Sequence, residues 1–474
     1  METQPATRQD LEQPETLIQS VEQSSGKWWV LVAIGVGTFM SALDGSVVNI
    51  SLPLITRTFN SSIAAAEWVV TVYLLVLSGL LLSFGRLGDL QGHKRVYIAG
   101  FAIFVVSSAL CSLASSIHAL IIYRGVQALG GAMLMANSPA ILTKSFPARQ
   151  RGQALGLQAT MTYLGLTVGP SLGGWLADHY TWRSVFYINI PVGLAAMALS
   201  VRFIRADHPE QTRERFDPPG AAAFVAGLVA LLFGLNQGHA LGWSSPIILG
   251  SLAASILLLL WFVRLESRAQ YPMLDLKLFQ NWPFSGAVIS AILNYICVYT
   301  IIFLMPFYLI QGRSFTPTQT GLILTAMPIV MAIVAPLSGT LSDRVGTRGP
   351  TLMGMMLLAS GLFLLSGLGP TSPPAQIALR LGVAGLGTGI FISPNTSALM
   401  GAAPRSRQGI SAGILATSRN VGMVLGVGIA GAVFTTVLSQ AGETQATALF
   451  TALRISFFVS TGIALLGLLI TARR

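Results

Sequence analysis

The chain has 474 residues, of which 53% are hydrophobic and only 9% charged, against roughly 25% charged in soluble domains. That balance excludes an ordinary water-soluble globule and describes a polytopic membrane protein, with apolar runs long enough for several spans of about 20 residues each. A net charge of +11 would suggest nucleic acid in a soluble protein; in a membrane protein its meaning depends on where the charges lie.

The first 26 residues are polar, with Glu2, Asp10, Glu12, Glu15 and Glu22, and lack the apolar h-region and cleavage site of a signal peptide. They read as a disordered tail. Six apolar segments follow near 28–52, 67–87, 95–115, 119–142, 153–177 and 184–204. After a polar stretch with Asp217, Pro218 and Pro219 come two plainer segments near 220–237 and 245–263. Six more lie near 283–310, 319–341, 350–369, 376–400, 409–438 and 450–471. The expectation is an all-α membrane protein of fourteen spans. Six-helix bundles cover 27–206 and 283–474, and the linker 207–282 carries two extra helices without buried charge, packed outside the core.

Of the 28 basic residues, 21 fall on alternate connections beginning with the N-terminal tail. Five fall on the others (Arg57, Arg183, Arg313, Arg380 and Arg454), and Arg124 and Arg419 fall within spans. By the positive-inside rule both termini are cytoplasmic, and this topogenic bias leaves no need for nucleic-acid binding. Cys111 and Cys297 lie in apolar runs without metal or redox spacing. The histidines sit in loops or at helix ends, and no nucleophile–base set or phosphate loop occurs, so no enzyme, metal or cofactor is expected.

Between the second and third segments the chain reads Gly85-Arg86-Leu87-Gly88-Asp89-Leu90-Gln91-Gly92-His93-Lys94-Arg95. The equivalent place in the second half reads Gly339-Thr340-Leu341-Ser342-Asp343-Arg344-Val345-Gly346-Thr347-Arg348. Both follow G-x-L-x-D-x-x-G-x-[KR], which resembles the cytoplasmic-loop signature of the major facilitator superfamily, a fold of two pseudo-symmetric six-helix halves. The resemblance implies a conformational latch using Gly85, Asp89, Gly92, Arg95, Asp343 and Arg344. The plainer reading is a topogenic loop in which Asp89 caps a helix or pairs with an arginine.

The fourth segment, Leu120 to Gly131 with Arg124 inside it, resembles the family's intramembrane-arginine motif, with Ala128 where glycine is usual. The fifth carries Gly165, Gly169, Pro170, Gly173 and Gly174 in the pattern G-x-x-x-G-P-x-x-G-G, which resembles that of the superfamily's antiporters. Close helix packing is its alternative explanation. Leu43-Asp44-Gly45-Ser46-Val47-Val48-Asn49-Ile50-Ser51-Leu52-Pro53 resembles the first-span signature of the fourteen-span drug:proton antiporters, with Ser46 and Ser51 replacing Thr and Ala. Trp182 to Pro191 and Arg419 to Gly422 resemble the same family.

Among 17 acidic residues only Asp44 falls well within a segment, Glu67, Asp178 and Glu266 lying at the predicted ends. A carboxylate in hydrocarbon is functional by default. At about 1.5 Å per residue Asp44 lies roughly 24 Å from the start of its span and Arg124 about 8 Å from the outer surface, at a shared depth. The two are expected to meet across a cavity in the N-terminal half, with Arg124 tuning the proton affinity of Asp44. Asn49, Asn294, Tyr295, Tyr299 and Arg419 are candidate cavity residues; the tyrosines are alternatively packing aromatics, and Arg419 alternatively satisfies backbone carbonyls.

The resemblance implies a proton-coupled antiporter of the bacterial inner membrane that exports hydrophobic, expectedly cationic, drugs. Its partners would be substrate, protons and membrane lipids, with no cofactor and no periplasmic partner specified. The alternatives are a specific exporter or flippase for an endogenous metabolite or lipid, and a membrane scaffold or sensor.

Overall fold

The computed structural model describes residues 13–147, 150–206, 218–268, 276–404, 408–440 and 445–474, and every regular element among them is helical. The first half comprises α1 (Gln13–Phe59), α2 (Ile63–Gln91), α3 (His93–Ser112), α4 (Ile117–Ser145), α5 (Arg151–His179), α6 (Ser184–Tyr187) and α7 (Asn189–Phe203). Then come α8 (Pro218–Leu241) and α9 (Pro246–Arg268). The second half comprises α10 (Trp282–Pro306), α11 (Pro317–Leu324), α12 (Ala326–Val345), α13 (Arg348–Ser366), α14 (Pro374–Ala402), α15 (Gln408–Gln440) and α16 (Gln445–Ala472). Of the predicted polar tail, residues 1–12 lie outside the described residues. From Gln13 it is already helix, since Glu, Gln and Leu are good helix formers whatever their polarity.

Hydroxyl caps start several helices: Ser62 accepts from the Ala65 N–H, Ser116 from Ala119, and Thr316 and Gln319 form a reciprocal capping box. Proline breaks two of the predicted spans. The sixth divides at Ile188, three residues before Pro191, into α6 and α7. The tenth divides at Thr325, three before Pro328, into α11 and α12.

The two halves repeat one packing scheme. In the first, α1 packs on α5 and α7, α4 on α2 and α3, and α3 on α7. In the second, α10 packs on α15 and α16, α14 on α12 and α13, and α13 on α16. The tightest crossings recur as well. A Cβ on Gly130 of α4 would lie 2.6 Å from the Gly100 carbonyl oxygen of α3, and one on Gly387 of α14 would lie 2.7 Å from that of Gly354 in α13. Only glycine lets backbones approach this closely.

The halves meet along two seams, α2 on α15 and α5 on α11 and α12, while α8 pairs with α9 and lies against both α2 and α15. The extra pair is therefore not free of the core, and its Glu266, in α9, is buried, contrary to the expectation of no buried charge there. Ile122, Leu257, Leu337 and Leu379 are all more than 60% exposed on the outside, a surface suited to lipid.

Among the described residues, 12 helices are long and apolar enough to cross a membrane, which makes this a multi-pass membrane protein. That is two fewer than the fourteen expected. The remaining two predicted spans are helical but fall short: α5 is rich in glycine and polar residues, and the apolar part of α8, Ala222–Gly238, is short.

Candidate functional site

Asp44 and Arg124 meet in the interior of the first half, with Arg124 Nη1 2.6 Å from Asp44 Oδ2. Both are essentially inaccessible. The rest of the hydrogen-bonding capacity of the pair is largely taken up. Asp44 Oδ1 accepts from Gln127 Nε2 at 3.1 Å and from Asn189 Nδ2 at 2.9 Å. Arg124 donates from Nε to the Val69 carbonyl at 3.2 Å and from Nη1 to Gln127 Oε1 at 2.7 Å. Gln127 also reaches Ser108 Oγ at 2.7 Å. This knot ties α1 to α2, α3, α4 and the start of α7. Such saturation is what keeps a buried ion pair from being a net liability.

Gln127 and Asn189 were not singled out from the sequence. Gln127 lies one helical turn after Arg124, so shares its face, and Asn189 sits at the break before Pro191, where a helix start turns its side chain into the bundle.

The central cavity holds about 400 Å³, within the roughly 300–1,000 Å³ range of small-molecule sites. Both halves line it: Asn49 from α1, Tyr73 from α2, Tyr295 and Tyr299 from α10, and Arg419, Asn420 and Met423 from α15, with Met135, Met327 and Met331 adding soft apolar wall. The lining reaches Leu155 in the first turns of α5 and Pro139 late in α4, toward the face that carries the chain termini. On the opposite face the seams are closed. Ser171 and Thr325 hydroxyls lie 2.6 Å apart, and Thr318 Oγ1 donates to Asp178 Oδ2 at 2.7 Å.

Two sequence expectations are corrected. Asp44 is not on the cavity wall, because Tyr73 lines the cavity while its ring covers Arg124, with the guanidinium carbon 4.1 Å from the ring centre. Asn294 is not there either; its amide points to Met355 Sδ of α13 at 3.6 Å. Among the described residues the charged side chain that does line the cavity is Arg419, and its Nε has no hydrogen-bond partner among them. Unpartnered polar atoms also sit on Asn49 (Oδ1), Tyr73 (hydroxyl) and Asn420 (Nδ2).

The glycines of the fifth-span motif serve two contacts. Gly165, Gly169 and Gly173 face α1 between Phe39 and Val47, and Ser46 Oγ donates to the Gly165 carbonyl at 3.4 Å. Gly174 instead faces the other half: its Cβ would lie 2.2 Å from the Pro317 carbonyl oxygen. One motif thus seats α5 against the Asp44 helix and closes the α5–α11 seam.

In the loop motif, Gly92 and Gly346 both have positive φ, 93° and 83°, which favours glycine at each copy. Asp89 does not cap α3, which begins without a side-chain cap. It lies 3.4 Å from Arg86 Nη1 and 3.3 Å from His93 Nε2. Asn137 commits its amide nitrogen to the Phe84 and Met133 carbonyls and presents its oxygen to His93 Nδ1 at 2.8 Å. Donation from both ring nitrogens then suits the imidazolium. Gly85 leaves room beside Ala136, Arg95 and Arg344 are exposed, and the Asp343 side chain lies outside the described residues.

Hydrogen bonding from His93, with Arg86 nearby, holds the Asp89 carboxyl below its ordinary value. A depressed acid stabilises the fold above its unfolded pKa and loses that contribution as pH falls through the folded one. In detergent, wild type is expected to melt above Asp89→Asn at neutral pH, the two curves converging below about pH 4. A constant gap across that range would contradict the assignment.

The profile of the Major Facilitator Superfamily matches residues 34–267 and 287–474. The chain belongs to the major facilitator superfamily. It is 34% identical over 447 residues to the riboflavin transporter RibZ of Clostridioides difficile, covering 94% of this chain and 97% of that one. It is 34% identical over 417 residues to the multidrug resistance protein Stp of Mycobacterium tuberculosis, covering 87% and 77%. Among solved structures, a bacterial homologue of the lysosomal transporter Spinster in an inward-facing, unoccupied conformation superposes with a TM-score of 0.69 at 14% identity, covering 94% and 96%. This facilitator is therefore a transporter of small substrates rather than an enzyme.

Proposed function

We propose that the protein is a proton-coupled exporter of hydrophobic aromatic compounds working by alternating access. In this reading it has fourteen spans, α5 and α8 crossing with the other twelve, and both termini are cytoplasmic in a bacterial inner membrane. The observation that carries it is the saturated Asp44–Arg124 pair held behind Tyr73, one side chain away from a cavity between the halves. Protonating Asp44 removes the charge that Arg124 binds, frees the guanidinium to rearrange, and so changes the Tyr73 wall that cargo touches. Cargo and proton thereby bias the same packing arrangement without sharing a binding site.

The cargo is revised from cationic. The acid is walled off and Arg419 is exposed to the cavity, so the site suits a neutral or anionic aromatic compound that offers a hydrogen-bond acceptor to Arg419 and a ring to Tyr295 and Tyr299. The relatives named for riboflavin transport and for multidrug resistance accord with such a range.

The test is proton flux in proteoliposomes under an imposed pH gradient, comparing riboflavin, an acceptor-rich neutral ring system, with ethidium, a lipophilic cation. Riboflavin is expected to evoke proton efflux at lower concentration. Arg419→Ala should raise its half-saturation roughly ten- to hundredfold, the worth of one charge-assisted hydrogen bond. Preference for ethidium, unchanged in that variant, would return the cargo to the cationic class.

A further inference from the structure

Glu67 was expected at a helix end. It instead lies in the second turn of α2, because the helix starts at Ile63, and it is only 1% exposed. Its carboxyl rests against the backbone of α15: a Cβ on Gly431 would lie 2.0 Å from Oε2 and 3.0 Å from Oε1. The third wall is α8. Asn236 accepts from the Trp68 indole at 2.9 Å, donates to the Ala64 carbonyl at 3.0 Å and hydrogen-bonds the Glu67 carboxyl. Oε2 has no partner.

No cation answers this acid among the described residues. The described part of α15 beyond Asn420 has no charged residue, the described α2 turns around Glu67 have none but Glu67 itself, and α8 offers only His239, whose side chain lies outside the described residues. Tyr73 and Arg124 lie deeper in the first half, engaged with each other and with Asp44. Ionised, the carboxyl would hold an uncompensated charge in a dry seam, at a cost of several kcal/mol. Protonated, it fits. Its position supplies a route for exchange, because the α2–α15 seam lies on the face that is closed here, opposite the cavity opening, and rocking of the halves would part that seam and wet the carboxyl.

We propose that Glu67 is a second proton-binding site, separate from Asp44, that takes its proton from the far-side solution when the α2–α15 seam is open and must keep it for α2, α15 and α8 to close. The step is COO⁻ plus H⁺ to COOH, with no other bond changed. The inference rests on the alternating-access reading but not on the assignment of Asp44. It also gives the extra helices a part in the transport cycle, since α8 supplies a side chain that hydrogen-bonds the acid.

The experiment measures the distance across this seam in full-length protein in nanodiscs, with spin labels at Asn60→Cys and Ser439→Cys, both exposed, Cys111 and Cys297 being buried. The closed fraction is expected to fall as pH rises from roughly 5 to 9, by at most about tenfold in closed-to-open ratio per pH unit for one proton. Glu67→Gln, a neutral near-isostere, should stay closed throughout, and Asn236→Ala should move the midpoint while keeping the response. Asp44→Asn serves as the control and should keep the part of the seam's pH response that Glu67→Gln removes, while losing coupled flux. A wild-type seam insensitive to pH, or a Glu67→Gln seam that responds like wild type, would overturn the proposal. The second of these results would leave coupling through Asp44 untouched.

Discussion

Asp44→Asn is expected to abolish substrate-evoked proton flux in proteoliposomes while still binding substrate, now with an affinity that no longer varies with pH, because Asp44 does not touch the cavity and the group that shifts the Tyr73 wall no longer titrates. Asparagine keeps the shape and accepts a hydrogen bond, and Arg124 retains Gln127 and the Val69 carbonyl as partners. Arg124→Leu should behave quite differently. It strands a carboxylate with two amide donors and no cation, a loss of roughly 3–5 kcal/mol, and should appear as poor folding before any question of flux. Joining it to Asp44→Leu should restore much of the stability but none of the coupling. That recovery, read from thermal melts of the single and double variants, separates a structural contribution from proton handling. Full proton coupling in Asp44→Asn would place the coupling acid elsewhere.

The second large effect is expected at Gly174. A single methyl group there meets the Pro317 carbonyl oxygen at 2.2 Å and its carbon at 2.9 Å, backbone atoms that have little room to yield. Overpacking of this kind typically costs 1–3 kcal/mol, and here it falls wholly on the conformer in which the far-face seam is shut. Gly174→Ala should therefore shift the balance between conformers by roughly ten- to hundredfold. Transport should slow while expression and melting temperature hold. Gly165→Ala is the counterpart: its methyl meets the Phe39 carbonyl oxygen at 2.6 Å within one half, so it should reduce folded yield in every conformer. Wild-type turnover by Gly174→Ala would show that the seam does not close this tightly during the cycle.

Much of the architecture could be read from apolar run length, because a membrane helix must satisfy its backbone internally and be long enough to cross. The shared depth of Asp44 and Arg124 followed from helix rise alone. Rotation about the helix axis did not. Helices that are apolar on nearly every side carry no stripe to mark which face meets the cavity, so Asp44 and Asn294 were both expected on the wall and both face into their own halves. Tyr295 and Tyr299 do face the cavity, since i, i+4 spacing puts them on one side and α15 packs close beside them through Gly422 and Gly426. Glu67 was misplaced for another reason. Hydropathy drops at Glu67 itself, so the apolar run seemed to begin there, while the Ser62 cap starts the helix a turn earlier and α8 and α15 fold over it.

The pair α8–α9 covers one seam and leaves the other bare. It packs beside both α2 and α15, whereas among the described helices nothing outside the two bundles lies over α5, α11 and α12. Lipid therefore meets a roofed flank at one seam and the bundle helices themselves at the other. The two seams are thus unequal: parting α2 from α15 must also pull α8 away from one of them, whereas parting α5 from α11 disturbs no helix outside the bundles among those described.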